Sequence, residues 1–457
     1  MGQTAATMST ELHRDKVMTV VGLGKTGLSC ARFLSAHGYQ VTVMDSRSQP
    51  PGLAYLQTAL PDIDVVLGEF DSALMSQASC LVVSPGVAVS SPAIVNAIKQ
   101  GVEVVGDIEL FARYVQAPVI AITGSNGKST VTTLLGEMAK CAGKTALLGG
   151  NIGTPALDLL AEPTPDFYVL ELSSFQLETT SSLNPIAAVV LNLSQDHLDR
   201  YDSMAKYAEA KRRIFNGQGT VVINLDDQVI RDWAIFGRNC VGFGLNEPVD
   251  NTQFGLRYSD GLEYLAHGQD LLMPVQGMKM TGRHNIANAL ASLALGYEAK
   301  LPMAAMLDAL ASFVGLPHRC QWVAKSAGVN WYNDSKATNV GAAVAAIDGM
   351  SCPVVLIAGG QAKEQSFAEL AVVVKQKCRA VVLIGQDADI LATALAGTVV
   401  LVRANSMSEA VVRAAEIAQA GDAVLLAPAC ASFDMFNGYE DRGNRFISAI
   451  REVTDEC

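Results

Sequence analysis

The sequence predicts an α/β protein of three domains: an N-terminal Rossmann-like domain, a central P-loop mononucleotide-binding fold and a C-terminal Rossmann-like domain. Three observations carry this. Short apolar, β-branched runs alternate with helical patterns along most of the chain. A glycine turn, Gly22-Leu23-Gly24-Lys25-Thr26-Gly27, follows the first such run. A second, Thr123-Gly124-Ser125-Asn126-Gly127-Lys128-Ser129-Thr130, follows Val119-Ile120-Ala121-Ile122. Alternation of this kind implies parallel sheets with helices on both faces.

At 457 residues the chain is long enough for two or three cores. Residues 1–16 are polar, lack the apolar centre of a secretion signal and are expected to form a flexible extension. Residues 17–106 form the first expected domain. There Val17 to Gly22 reads as a strand, Gly24 to His37 as a helix, and Gln40 to Asp45 and Ser79 to Ser84 as strands. The last of these stops at Pro85-Gly86, where the chain must turn. Residues 107–315 form the second. Its buried-type strands are Tyr168 to Leu172 and Ala187 to Asn192, with an antiparallel excursion over about 218–280 and a small-residue helix from Asn285 to Tyr297. Residues 316–457 form the third, with strands at Val354 to Ala358, Ala380 to Ile384, Val399 to Val402 and Ala423 to Ala427 and a helical pattern from Ser408 to Ala420.

Composition narrows the function classes. Half the residues are apolar and 17% are charged, which describes a folded chain. The net charge of −12 argues against a general nucleic-acid binder. The nine cysteines are scattered without a C-x-x-C pair, as expected of a reducing, cytoplasmic compartment and not of a disulfide frame or zinc site. No apolar run reaches the roughly 18 residues that span a bilayer.

The second glycine turn has the layout of a phosphate-binding loop. In such a loop the backbone N–H groups from Gly124 to Thr130 would converge on phosphate oxygens, Lys128 would reach the β- and γ-phosphates, and the Ser129 hydroxyl could hold Mg²⁺; a glycine turn between strand and helix with a solvated lysine is the plainer alternative. The loop is a shortened variant, because Ile122 stands where the usual spacing has glycine. The first turn is G-x-G-x-x-G, and Asp45 ends the next strand, where a dinucleotide fold carries its ribose-binding acid. Alone it would suggest an NAD-dependent oxidoreductase. Beside a second nucleotide loop it suggests that this domain holds the nucleotide part of a substrate. Asp45, Ser46 and Arg47 would then meet base or ribose, and Lys25 and Thr26 a phosphate. A purely structural turn is the plainer alternative.

Three further side chains stand out. Glu171 closes a buried strand, a position suited to a Mg²⁺ ligand beside a phosphate loop; capping a helix N-terminus is the plainer role. His197 lies among acids in the loop after the next strand. Lys211 falls on the apolar stripe Met204, Tyr207, Ala208, Lys211 and Phe215, where an unpaired ammonium is costly. Either its stem snorkels to water, or it lines a site with its pKa lowered by desolvation.

Together these residues resemble the Mur ligases. The resemblance rests on Thr123–Thr130, Gly150-Asn151-Ile152-Gly153, Glu171–Glu178, Asp196–Arg200, Gly282–Asn288, Leu316–Arg319, Asn333–Asn339, Pro428–Asp434 and Arg442–Phe446, and it covers the chain from Val17 onward. It implies that the three domains hold in turn a UDP-sugar, ATP and an incoming amino acid. The member it points to adds D-glutamate to UDP-N-acetylmuramoyl-L-alanine through an acyl phosphate, in peptidoglycan precursor synthesis. It implies that Lys128 stabilises the transferring phosphate, that Ser129 and Glu171 serve one Mg²⁺, and that His197 and Lys211 serve a second, with Lys211 carbamylated by CO₂. Asn285, Asn288, Arg319 and Asp334 would contact ATP, and Asn151 and Ser84 would lie near diphosphate and sugar. Lys336, Thr338, Lys363, Ser432 and Phe433 would shape the D-glutamate pocket. The loop 359–363 departs from the family, which often carries aspartate near the lysine where this chain has Gln361. A monomer and a hinged third domain are expected. A sibling Mur ligase, a folylpolyglutamate-type ligase and a non-catalytic nucleotide sensor are the other readings.

Overall fold

A computed structural model of the chain describes residues 16–196, 200–233, 237–280, 282–362 and 365–455. Three sheets follow one another along it. The first has five parallel strands in spatial order Asp64–Leu67, Gln40–Asp45, Val17–Val21, Cys80–Val83 and Glu103–Val105. Its central strands are apolar on both faces, with Val20 and Val43 fully buried side by side, as a sheet covered by helices requires. The strand order reverses between Val17–Val21 and Cys80–Val83, so a crevice opens at their carboxyl ends between Gly22 and Ser84. Gly27 makes the tight turn possible, because a Cβ there would sit 1.8 Å from the Gly22 carbonyl oxygen.

The second sheet has nine strands, ordered Asp270–Pro274, Leu262–His267, Gln253–Ser259, Cys240–Phe243, Thr220–Asn224, Ala187–Val190, Val119–Thr123, Phe167–Glu171 and Ala146–Gly150. The expected antiparallel excursion over 218–280 is confined to its end. Thr220–Asn224 and Cys240–Phe243 extend the parallel sheet, and only the pairings among Gln253–Ser259, Leu262–His267 and Asp270–Pro274 run antiparallel. The physical reason is burial: Thr220–Asn224 is covered on both faces, whereas Asp270–Pro274 is largely open.

The third sheet has the order Gln321–Ser326, Val329–Asn333, Ala423–Leu426, Val354–Gly359, Cys378–Ile384 and Val400–Arg403. Its first two strands form an antiparallel hairpin that periodicity did not reveal. The hairpin turns at Ala327 and Gly328, both at positive φ (49° and 79°), the geometry of a two-residue turn that matches strand twist.

The first and second sheets share one apolar cluster, which joins Leu34 and Leu56 to Leu157 and Leu170. The third sheet packs into its own two clusters. Among the described residues, no helix is long and apolar enough to cross a membrane.

Candidate active site

The phosphate loop joins the Val119–Thr123 strand to the Lys128–Cys141 helix. Gly127 has φ +84°, and a Cβ there would come 2.4 Å from Asn288 Oδ1, so only glycine lets the loop lie against that side chain. The loop is held from both sides. Asn126 N donates to Asn192 Oδ1 at 2.8 Å, and the Ser125 hydroxyl lies 3.0 Å from the Tyr207 hydroxyl. Lys128 Nζ folds over the loop and donates to the carbonyls of Gly124 (2.8 Å) and Ser125 (2.9 Å). The Ser129 hydroxyl is buried, as is that of Thr130. Ser129 Oγ accepts a hydrogen bond of 2.7 Å from Arg319 Nη2, which reaches over from the third unit.

Glu171 sits beside the loop because its strand pairs with Val119–Thr123, in register with Ile122. Its Oε1 accepts from Asn151 Nδ2 at 2.6 Å. Its Oε2 is buried and has no hydrogen-bond partner among the described residues. A carboxylate oxygen in that state is costly. Glu171 and Ser129 line the same cavity of about 740 Å³, and two oxygen donors of this kind fit a Mg²⁺ ion that keeps its remaining waters and phosphate ligands. Among the described residues, no group of three or more His, Cys, Asp and Glu side chains forms a metal cage by itself. His197 lies outside the described residues; its neighbour Asp196 lines the cavity.

Lys211 points inward, as its place on the stripe predicts, and is buried. Its Nζ donates to Gly124 O at 2.9 Å and Thr123 Oγ1 at 3.3 Å, and stands 4.7 Å from the centre of the Tyr207 ring. Burial, and then the charge of Lys128, push its pKa well below the lysine value, against the pull of Asp196 and Glu171. A shift in that direction favours the uncharged form of the amine, which is the nucleophilic one.

A second cavity, of about 580 Å³, also borders Gly127. Asn285, Asn288, Arg319 and Asp334 line it together with Phe243, Met280 and Trp322. A cavity walled by apolar side chains with a few polar groups suits a nucleoside. Asn288 Nδ2 lies 3.3 Å from Asn285 Oδ1. Burial pushes the Asp334 carboxyl up to about 7, against the opposing charge of Arg319.

On the third unit, Lys336 and Thr338 also line the 740 Å³ cavity. Lys336 Nζ lies 3.8 Å from the centre of the Tyr439 ring. Burial, then the charges of Arg319 and Lys128, lower its pKa to about 8. Ser432 is buried, Phe433 is 75% exposed, and Lys363 lies outside the described residues. Arg442, which the sequence marks only as the start of a family motif, organises this region: fully buried, it donates to Ser335 O (2.7 Å), Ser335 Oγ (2.9 Å) and Cys430 O (3.1 Å). It ties the loop before Lys336 to the loop before Ser432. Asn339 likewise ends a family motif without a role assigned from sequence. Its side chain pairs with that of Asn126 (3.3 and 3.5 Å) and donates to Asp196 Oδ2 at 3.3 Å. It is also the N-cap of the Val340–Asp348 helix, its side chain accepting from Ala342 N.

The first-unit residues gather at the sheet's switch point. Ser84 Oγ donates to Gly22 O at 2.8 Å. Asp45 accepts from Leu23 N at 2.6 Å, from Arg47 N and Nε at 2.9 and 2.8 Å, and from Arg47 Nη2 at 2.7 Å. The Arg47 side chain, then the backbone N–H donors, hold its carboxyl down to about 2 against burial. With both oxygens doubly occupied, Asp45 orients the exposed Arg47 and Ser46 and has no spare acceptor for ribose hydroxyls. That removes the contact on which a dinucleotide reading rests. Lys25 reaches across to the central unit, where its Nζ donates to Gly153 O (2.6 Å), and Asn151, itself part of that unit, holds Glu171. Thr26 is half-buried beside them.

Comparison with known proteins follows the same division. Three family models match in order: the Mur ligase MurD-like N-terminal domain over residues 16–106, the Mur ligase middle domain over 122–296, and the Mur ligase glutamate ligase domain over 318–430. The chain is 56% identical over 436 residues to UDP-N-acetylmuramoylalanine–D-glutamate ligase of Nitrosococcus oceani, covering 95% of this chain and 96% of the relative. It is 54% identical to the enzyme of that name from Pseudomonas putida over 439 residues, 95% of this chain and 97% of the relative. Among solved structures, the fold matches a pseudomurein peptide ligase type C from Methanothermus fervidus (TM-score 0.61, 19% identity, 96% of this chain and 100% of that one). It also matches MurF ligase from Thermotoga maritima, solved with ADP (TM-score 0.60, 16% identity, 98% and 97%). With a phosphate loop, a buried carboxylate beside it and a third unit reaching over both, this chain belongs to the Mur ligase family.

Proposed function

We propose that this ligase joins D-glutamate to UDP-N-acetylmuramoyl-L-alanine at the expense of ATP, in peptidoglycan precursor synthesis. The observation that carries the reading is identity of 52–56% over nearly the whole chain to D-glutamate ligases. The geometry that supports it is the meeting of phosphate loop, Glu171 and Lys336 around one cavity.

In this reading residues 17–106 hold the UDP-sugar, 107–315 ATP and 316–457 D-glutamate. Lys25, Thr26, Ser46, Arg47, Ser84 and Asn151 surround the UDP-sugar, with Asp45 as the anchor of Arg47. Asn285, Asn288 and Asp334 hold the nucleoside. A carboxylate is a poor electrophile, so the substrate carboxylate first takes the γ-phosphoryl group of ATP and becomes an acyl phosphate. Gly124 to Thr130 cradle the phosphates, and Lys128 with Arg319 stabilises charge as it moves between oxygens. The amine of D-glutamate then attacks the acyl carbon, and phosphate leaves. Lys336, Thr338, Lys363, Ser432 and Phe433 orient that amino acid, the lysines facing its carboxylates. Ser129 and Glu171 would hold one Mg²⁺, which supplies neutralisation of the phosphate oxygens.

His197 and Lys211 would hold a second Mg²⁺. We assign Lys211 a carbamate: the neutral amine adds to CO₂, and the carbamic acid loses its proton to give an anionic oxygen ligand. The desolvated amine supports this, because an anion paired with metal suits a buried position better than an ammonium ion. The enzyme is read as a cytoplasmic monomer.

The test is phosphate release from ATP with Mg²⁺ and UDP-N-acetylmuramoyl-L-alanine. Release should require D-glutamate and fail with L-glutamate. Release driven by another amino acid would move the chain to a sibling activity, and none at all would sink the reading.

A further inference from the structure

We propose that Lys25 is a positioning residue for the carboxylate of Glu171, acting through the loop that carries Asn151; the proposal rests on the ligase reading of the site. Lys25 opens the Lys25–Ala36 helix, directly after the first glycine loop. Its Nζ donates to the Gly153 carbonyl at 2.6 Å, across 128 residues of sequence. The same helix holds the far end of that segment. Ser29 Oγ donates to Asp158 Oδ1 at 2.6 Å, and Arg32 Nη2 pairs with the same oxygen at 2.7 Å. Positions 25, 29 and 32 follow at intervals of four and three, so one helix face makes all three contacts.

Between the two anchor points the segment is pressed against Glu171. Gly150 N donates to Thr154 O at 2.9 Å and closes the loop on itself. Asn151 N donates to Glu171 O at 2.8 Å, and Asn151 Nδ2 to Glu171 Oε1 at 2.6 Å. A Cβ at Gly150 would stand 2.5 Å from Glu171 O, so the loop has no slack on that side. By engaging one carboxylate oxygen, Asn151 sets the direction of the other, Oε2, which lacks a partner among the described residues. The path from Lys25 to the metal carboxylate therefore runs through Gly153, the closed loop and Asn151. It ties the expected seat of the sugar nucleotide's phosphates to the expected seat of Mg²⁺. Lys25 itself is exposed, so this bond adds little to global stability. Its consequence is the aim of a side chain at the far end of that path.

The experiment is Mn²⁺ binding to the full-length enzyme with a non-hydrolysable ATP analogue and no sugar nucleotide, read by electron paramagnetic resonance. Lys25→Met should weaken Mn²⁺ binding by about three- to tenfold, at or below the usual outer-partner effect of about 10–100-fold. Lys25→Arg, which still reaches a carbonyl, should restore most of it. Lys25→Met combined with Asn151→Ala should bind no more weakly than Asn151→Ala alone, because both act on one path. In metal-free protein, hydrogen exchange over residues 150–154 should speed up in Lys25→Met. Unchanged Mn²⁺ affinity with a raised KM for the sugar nucleotide would make Lys25 a phosphate ligand only and overturn the proposal, as would an additive double variant. A wild-type enzyme that releases no phosphate with D-glutamate overturns the ligase reading instead; the Mn²⁺ and exchange measurements still decide the role of Lys25.

Discussion

Arg319 and Ser129 are 190 residues apart in sequence, yet the guanidinium of one donates to the hydroxyl of the other at 2.7 Å. The contact joins the third unit to the residue of the phosphate loop best suited to hold Mg²⁺. Arg319 stands between His318 and Cys320, both at positive φ (61° and 47°). Two non-glycine residues in that region carry a backbone cost, and here it aims the arginine across the domain boundary.

Arg319→Lys should therefore harm nucleotide use more than fold. A charged hydrogen bond is worth about 1.5–3 kcal/mol, which corresponds to about a ten- to hundredfold fall in kcat/KM for ATP. Steady-state phosphate release at varied ATP measures it. An unchanged value would mean that the contact does not survive in the loaded enzyme.

Lys211→Met should cost about a hundredfold or more in turnover, and wild-type activity should fall on CO₂ depletion and return with bicarbonate. A stability signature accompanies this. The folded-state pKa of Lys211 lies well below its ordinary value, so between those two values the unfolded chain holds a proton that the folded one lacks. Stability should rise with pH across that interval, and Lys211→Met should flatten the rise. Thermal melts of the CO₂-depleted protein against pH check it.

Asp107 gives the opposite slope. It is buried where the first unit meets the second, and its Oδ2 accepts from Gln176 Nε2 at 2.9 Å while Oδ1 has no partner among the described residues. Burial pushes its carboxyl from 3.8 up to about 6. The folded chain thus binds the extra proton between these values, and stability falls as pH rises through them, by about 3 kcal/mol in all. Asp107→Asn keeps an acceptor for Gln176 and should raise the melting temperature at pH 8 more than at pH 4. Equal shifts at both pH values would refute the assignment.

The third unit lies against the loop carrying Ser194 at a residue without a side chain, Gly341. A Cβ at Gly341 would stand 2.8 Å from the Cβ and Oγ of Ser194. Gly341→Val should hold the unit away from the phosphate loop, enlarging the radius of gyration with ATP analogue and sugar nucleotide bound. It should lower turnover about a hundredfold, the scale of a 1 Å misplacement. Ser194→Gly should recover part of both; a variant as compact and active as wild type would refute the steric account.

Much of this was legible in the sequence because the signal is local. A β-branched run, a glycine turn and a helical pattern adjacent in the chain specify strand, loop and helix, so both glycine loops are read directly. Lys211 was legible because helical spacing alone places it with Tyr207 and Ala208. The parallel strand Cys240–Phe243 was not, because four residues carry too little pattern to tell an edge hairpin from a covered strand. Nor was Asp45, whose acid at a strand end looks free in sequence and is saturated by Leu23 and Arg47 in space.

By itself the sequence determined the alternation of elements, the chemistry of the phosphate loop and, through ordered motifs, the family. Tertiary structure alone decided which groups meet. Glu171 has one oxygen held by Asn151 and the other, Oε2, buried without a partner among the described residues, and Arg442 becomes a buried clasp because two loops fold onto it. Periodicity reports which face of an element is covered, but pairing between residues far apart in the chain depends on how whole sheets and helices pack.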